Sequence, residues 1–194
     1  LPYRFIDNNA DVLAIAHCDS ITCGTNKWEQ RGDIVRSTSL DDRLGVHILL
    51  DVLPSLGINV DVLLTDDEEI GRSTAQLFLP TSHHRREYNW MVQFDRRGTD
   101  AVVYQYASMV PFAAEHFRLG AGSFSDICWL DHLGCAGLNI GTGYYNEHTR
   151  KSFANLRETH AQVDSFARFY AAFADTWIPW APTIDPWETA DTWE

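Results

Sequence analysis

The sequence predicts an α/β fold, a mixed and mostly parallel sheet flanked by helices on both faces. Short apolar runs recur at residues 12–16 (VLAIA), 60–64 (VDVLL), 90–94 (WMVQF) and 135–140 (CAGLNI). Runs that are apolar almost throughout, rather than alternating, mark strands buried on both faces. Segments with helical spacing separate the runs, the alternation that builds a parallel sheet from crossover units. Several runs end in histidine or acid side chains, and open α/β sheets bind ligands beyond the carboxyl ends of their strands.

In chain order, residues 12–16 read as a buried strand ending at His17. Residues 20–38 are polar and carry Gly24 and Gly32, a hairpin or loop. Leu44, Ile48, Leu49 and Val52 have helical spacing, and Pro54 with Gly57 punctuates the helix end. The strand 60–64 follows and runs into Asp66, Asp67, Glu68 and Glu69. Residues 71–79 predict a short helix stopped by Pro80, and residues 81–89 an exposed loop containing His83 and His84. The strand 90–94 ends at Asp95, and residues 101–106 return as a strand. Residues 110–117 predict a helix and 120–125 a Gly/Ser loop. Residues 126–133 predict a helix with Ser125 as N-cap. Residues 135–140 predict the next strand, and residues 158–177 a long amphipathic helix with Val163, Phe166, Phe169, Tyr170 and Phe173 on its apolar face.

Length and composition suit one domain, residues 1–177, followed by a Trp- and Pro-rich tail, 178–194, that packs on it or extends from it as a contact segment. With 194 residues, 45% of them hydrophobic, the chain can bury a substantial core. A net charge of −12 argues against nucleic acid or an anionic membrane as partner. No apolar run approaches the ~20 residues of a membrane span. With no signal peptide visible, a cytoplasmic location is expected. Cys18, Cys23, Cys128 and Cys135 form no CxxC pair, so free thiols in a reducing compartment are expected, with Cys18 in a buried strand. A Cys18–Cys23 disulfide is the alternative.

Four adjacent carboxylates repel one another, and a run that ends a buried strand favours a bound cation over solvent alone. Other candidate ligands recur at similar places: His17 with Asp19, Asp41 before a helix, Asp95, and His148 in a turn after the last strand. Each alone has a structural reading. A lone strand-end histidine is commonly structural, Asp41 suits a helix cap, and Glu68–Glu69 suits a solvated turn. Their joint recurrence at one edge of the sheet points to a metal site.

The motifs AHCD (16–19), SLDDRLG (39–45), TDDEEIG (65–71), QFDRRGTDA (93–101) and GTGYYNEHT (141–149) resemble, in order and spelling, those of the co-catalytic di-zinc exopeptidases. That group includes aminopeptidases, tetrahedral aminopeptidases and peptidase T-like tripeptidases. The resemblance implies a zinc exopeptidase-like, phosphorylase/hydrolase-like core that uses two divalent ions, zinc or else cobalt or manganese, on peptide or small amide substrates. It implies that His17 and His148 each bind one metal, Asp41 bridges both, and Glu69 and Asp95 bind opposite metals. Glu68 is the implied general base, and Asp19 the residue that orients the His17 ring. Asp126, in a Ser-Asp pair found near the active site of the group, is implied as a substrate contact. In much of the group an acid follows the last His-Ser/Thr three residues later; here Arg150, Lys151 and Ser152 follow His148-Thr149, and His160 is the less favoured alternative to His148. Short gaps between motifs imply a minimal catalytic domain with no lid or dimerisation insert.

Other readings stand beside this one. Asp131–His132 with His17, Asp19 and Asp41 would make a two-metal phosphoesterase set, but it leaves Glu68–Glu69 without a role. A catalytically silent metal-binding or interaction module would often have lost Glu68. Aminopeptidase is favoured over carboxypeptidase because an acidic site suits an α-ammonium, although Arg96, Arg97, Arg150 and Lys151 lie near proposed ligands. GSFSD (122–126) lacks the GxSxG elbow of a serine nucleophile.

Overall fold

The structure, a computed structural model, describes residues 2–21, 27–79 and 87–181. Its strands are β1 (Arg4–Ile6), β2 (Val12–His17), β3 (Glu29–Arg31), β4 (Ile34–Arg36), β5 (Asp61–Thr65), β6 (Trp90–Arg97), β7 (Ala101–Val102), β8 (Gly137–Tyr145) and β9 (Phe153–Asn155). The helices are α1 (Leu40–His47), α2 (Leu53–Ser55), α3 (Val110–Ala113) and α4 (Leu156–Phe173). One sheet runs in the order β1-β5-β2-β6-β8-β9-β4-β3, with β7 paired to β8. The four central strands, β5, β2, β6 and β8, are parallel, and the flanking pairs are antiparallel.

The central strands are continuous in burial because both faces are covered. All six residues of β2 and all five of β5 are buried. On β6, Trp90 and Phe94 meet Phe169 and Phe166 of α4 edge-on, each pair with ring centroids 5.0 Å apart. Alternate β6 residues turn the other way, where Gln93 contacts the turn at Ser125 and Ile127. The Asn155 side chain caps α4 by accepting from the Arg157 amide at 3.2 Å. This starts the helix at Leu156 rather than 158.

Several expected elements are shorter or differently wound. Residues 126–133 form two 3-10 turns, Asp126–Trp129 and Asp131–Leu133, rather than one helix. The Ser125 hydroxyl donates to Gln93 Oε1 instead of capping a helix, and Gly134, at φ +74°, ends the second turn. Residues 71–79 hold only the 3-10 turn Thr74–Leu77. The strand at 101–106 shrinks to β7 and the helix at 110–117 to α3, whereas β6 runs on to Arg97 and β8 to Tyr145. A π-helical stretch, Ile48–Val52, joins α1 to α2, and Gly57 at φ +72° follows the end.

Cys18 lies one residue beyond β2 and is exposed, not buried in the strand. Cys128 and Cys135 are free, and Cys23 falls outside the described residues, as do His83 and His84. The first residues of the tail pack on the domain: Ile178 is buried and the Trp180 amide donates to the Gly134 carbonyl at 2.9 Å. Residues 182–194 are outside the described residues.

Candidate metal centre

Parallel register brings three strand ends to one level. His17 pairs with Thr65 across β2 and β5, and Ile15 pairs with Gln93 across β2 and β6. Two residues further along, His17 and Asp95 meet, Nε2 to Oδ1, at 3.4 Å. The pairing of β6 with β8 is irregular between Gln93 and Arg96. The Asn139 side chain takes over the lost ladder bonds there. Its Oδ1 accepts the Asp95 amide and its Nδ2 donates to the Asp95 carbonyl, both at 3.0 Å. A bulge of this kind re-aims a side chain, and here it aims Asp95 at His17.

After β5 the chain turns through Asp67 at φ +62°, the 3-10 turn Glu68–Ile70, and Gly71 at φ +69°. Asp66 and Asp67 face solvent, and Thr74 Oγ1 receives the Asp66 amide at 2.9 Å. At the start of α1, Asp41 and Asp42 have non-helical backbone and a cis peptide joins them. Ser39, not Asp41, holds the cap position, and the Asp41 carboxylate faces the two histidines. His148 sits in the turn beyond β8 at φ +57°, a left-handed conformation that is costly for a non-glycine residue.

Two ligand clusters result: His17, Asp41 and Asp95, and Asp41, Glu69 and His148. Asp41 belongs to both and divides its oxygens between them. Its Oδ1 is 3.1 Å from His17 Nε2, and its Oδ2 is 3.2 Å from His148 Nε2. Glu69 Oε2 is 2.8 Å from His148 Nε2. Glu68 belongs to neither cluster, and its Oε2 is 3.9 Å from His17 Nε2. Asp19 sits behind the first cluster. Its backbone carbonyl is 3.0 Å and its Oδ1 is 3.3 Å from His17 Nδ1. A carbonyl at that nitrogen requires Nδ1 to carry the proton, so Nε2 is the nitrogen turned to Asp41 and Asp95. Asp19 also accepts the backbone amides of Glu68 at 3.3 Å and Glu69 at 3.1 Å, tying the acidic turn to the histidine.

The electrostatics of the cluster are dominated by its buried carboxylates. Burial favours a neutral His17, yet hydrogen bonds to Asp19, Asp41 and Asp95 outweigh it and hold its pKa far above the usual value. Hydrogen bonding to Asp41 is the main cause that raises His148 to about 9. Burial opposes ionisation of Asp41, but bonds from His148 and His17 hold its carboxyl well below the usual range. Burial, then the charges of Asp126, Asp41 and Glu69, lift Glu68 to about 7, with His17 opposing. Burial likewise lifts Glu69 and Asp95. A neutral His17 would point a lone pair at two carboxylate oxygens within 3.4 Å. Positive charge is needed between these groups, either a proton or a metal ion. The nitrogen and oxygen donor set is one that suits zinc, and the residues fit such an ion at both positions.

The clusters open onto a cavity of about 410 Å³, lined also by Tyr104, Phe124, Tyr144, Arg96, Arg97 and Glu147. Asp126 does not line it. That residue is fully buried and accepts from Thr65 Oγ1, so burial removes it from contact with a substrate. His132 Nε2–H donates to the Phe78 carbonyl at 2.8 Å and enters neither cluster, which leaves the phosphoesterase set unassembled among the described residues. His160 lies on the exposed side of α4, and His148 takes the position facing Asp41.

Sequence reasoning missed several supporting residues. Asp42, fully buried, accepts the His17 amide at 3.3 Å and the Gly45 amide at 3.1 Å. Asn139 holds the Asp95 backbone, and Tyr144 reaches Asp95 Oδ1 with its hydroxyl at 3.4 Å. Gln93 donates to Asp95 Oδ2 at 3.1 Å. A readable signal existed for Gln93 and Asn139, since each is a polar amide inside an apolar strand run and a buried amide needs partners.

Among solved structures, the chain is similar to a tripeptidase from Staphylococcus aureus subsp. aureus Mu50. The TM-score is 0.68 over 90% of this chain and 84% of that one, at 10% identity. It is similar to aminopeptidase PepT from Bacillus cereus ATCC 10987, with a TM-score of 0.58, 11% identity, and coverage of 86% and 83%. It is also similar to aminopeptidase APDkam598 from the archaeon Desulfurococcus kamchatkensis, with a TM-score of 0.59, 19% identity, and coverage of 82% and 56%. No protein-family model and no curated protein matches the chain. At these identities the likeness establishes the fold, which is the one the motif resemblance implied.

Proposed function

We propose that this chain is a metal-dependent exopeptidase, an aminopeptidase, that cleaves peptide bonds with Glu68 as general base. The observation that carries the reading is the pair of histidine–carboxylate clusters sharing Asp41, with Glu68 beside them on an open cavity. Structures of the same fold named as aminopeptidases and a tripeptidase support it. His17, Asp41 and Asp95 would hold one divalent ion, and Asp41, Glu69 and His148 the second. Zinc is favoured by the donor set, with cobalt or manganese as alternatives. Ions so held supply electrophilic polarisation of a carbonyl and acidification of a water.

The chain's own groups do the rest. Asp19 fixes the His17 tautomer and, through the Glu68 and Glu69 amides, the height of the acidic turn. Glu68, which burial raises above the usual carboxyl range in the metal-free protein, can take a proton on its carboxylate from the attacking water and release it to the leaving amine. The acidic wall can hold the α-ammonium of a peptide. Both cavity arginines are already paired, Arg96 with Asp100 at 2.7 Å and Arg97 with Glu147 at 2.9 Å. That pairing supports recognition of an amino terminus over a free carboxylate.

The test is a peptide-library digest with added zinc, cobalt or manganese, read by mass spectrometry, with the wild type beside Glu68→Gln. Stepwise loss of amino-terminal residues is expected from the wild type. The variant should retain metal and lose turnover. Carboxy-terminal trimming would refute the aminopeptidase assignment, and full activity of Glu68→Gln would refute the base.

A further inference from the structure

Gln93 occupies the middle of β6 with no exposed surface, between apolar Val92 and Phe94. An amide buried there without partners would be strongly unfavourable. All its polar atoms are engaged, and the engagement fixes which way it points. Its Oε1 accepts the Ser125 hydroxyl and the Ile127 amide, the latter at 3.3 Å. Its Nε2 must then face the two acids, Asp95 Oδ2 at 3.1 Å and Asp126 Oδ2 at 3.5 Å. A flipped amide would place its oxygen against both carboxylates and its NH₂ against the Ile127 N–H donor.

This arrangement constrains Asp95 asymmetrically. Its Oδ2 is held by Gln93 at 3.1 Å, while its Oδ1 faces His17 Nε2 at 3.4 Å and takes only a longer bond from the Tyr144 hydroxyl, also at 3.4 Å. Its backbone cannot swing to compensate, because Asn139 bonds both its amide and its carbonyl. Glu69 presents a parallel case on the other side, with Oε1 accepting the Ile21 amide at 3.2 Å and Oε2 facing His148. The Ile21 contact is exposed, whereas the Gln93 contact is partly buried and comes from a side chain wholly in the core, so the Asp95 restraint is the stiffer one.

We propose that Gln93 is a positioning residue that confines Asp95 to one-oxygen coordination through Oδ1 at the His17 site; this rests on the metal-binding reading above. Asn139, which fixes the Asp95 backbone, and Ser125, which sets the Gln93 flip, complete the support. Holding Oδ2 keeps the His17 site at low coordination number, the condition that suits zinc and leaves a position open for water. It also makes the two sites unequal, since the Glu69–His148 site has no buried counterpart to Gln93 among the contacts described.

Two measurements on the full chain decide the matter. In a crystal structure of the zinc-loaded wild type, Asp95 should bind through Oδ1 alone with the Gln93 Nε2–Oδ2 bond retained. Two-oxygen binding by Asp95 would overturn the proposal. In a two-site zinc titration, Gln93→Met, which keeps the length and loses the donor, should weaken one site by about 10–100-fold and leave the other unchanged. Equal weakening of both sites would mark general structural damage, and no weakening would mark an irrelevant contact; either overturns the positioning role. A variant that does not fold leaves the decision to the zinc-loaded wild-type structure. A wild type that binds no zinc at either site would instead sink the metallopeptidase reading itself.

Discussion

Gly45→Ala should destabilise the protein through a single carboxylate. A Cβ built at Gly45 lies 2.3 Å from Asp42 Oδ1 and 2.7 Å from both its Cγ and Oδ2, well inside any tolerated contact. Asp42 is fully buried and has a short side chain, so the carboxyl group cannot swing to solvent. It must leave its two hydrogen bonds, those from the Gly45 and His17 amides. Burial and the Asp95 charge hold the Asp42 pKa well above the usual range. Two such bonds at about 1 kcal/mol each, plus the cost of an unsatisfied buried group, give roughly 2–4 kcal/mol. For a chain of this size that is a fall in Tm of roughly 5–15 °C. Urea unfolding of the metal-free protein measures it, together with Asp42→Ala and the double variant. If the clash is the cause, removing the carboxylate relieves it, and the two substitutions should couple by more than about 1 kcal/mol. A change under about 0.5 kcal/mol for Gly45→Ala, or strict additivity with Asp42→Ala, would refute the reasoning.

Two further outcomes follow from the site. Asp41→Ala should abolish tight binding of both metals together, because one carboxylate serves both clusters; elemental analysis after desalting that still finds one full equivalent would show the oxygens are not shared. Metal uptake at pH 7 should release more than one proton per chain, since His17 and His148 are held protonated without metal and must bind as neutral imidazoles. Calorimetry in buffers of differing ionisation enthalpy reads that release, which should fall as pH rises through about 9, where His148 deprotonates on its own. The sign for stability runs the same way. Raised histidine values stabilise the metal-free fold below about pH 6.5, and the His148 share fades as pH rises through about 9. A heat independent of buffer would contradict protonated histidines in the free protein.

The parallel core was legible because β2, β5, β6 and β8 each need both faces covered, and their sequences show it as unbroken apolarity. The candidate ligands were legible because each follows such a run or opens the helix beside it. What escaped was winding and support. Residues 126–133 carry a Ser-Asp start that reads as a helix cap, yet tertiary contact with Gln93 outcompetes the cap and leaves 3-10 turns. Similarly, the Ser-Asp resemblance implied Asp126 as a substrate contact, but its burial beneath Thr65 and Gln93 is a property of the fold alone. The bulge at Asp95 has no local signature either, since it depends on Asn139 arriving from another strand.

Winding also settles how two adjacent glutamates can face different ways. A 3-10 turn holds 3.0 residues per revolution, so consecutive side chains diverge by about 120°. Glu68–Ile70 is such a turn, bracketed by left-handed Asp67 and Gly71. Glu69 consequently reaches His148 at 2.8 Å, while Glu68 reaches toward His17 at 3.9 Å. A strand would send them to opposite faces of the sheet and put one in the core. The short turn is the winding that keeps both carboxylates on the cavity while Asp19 holds both amides. The sharing of one histidine partner each, rather than the mere count of acids after β5, is what distinguishes this acidic run from a solvated one.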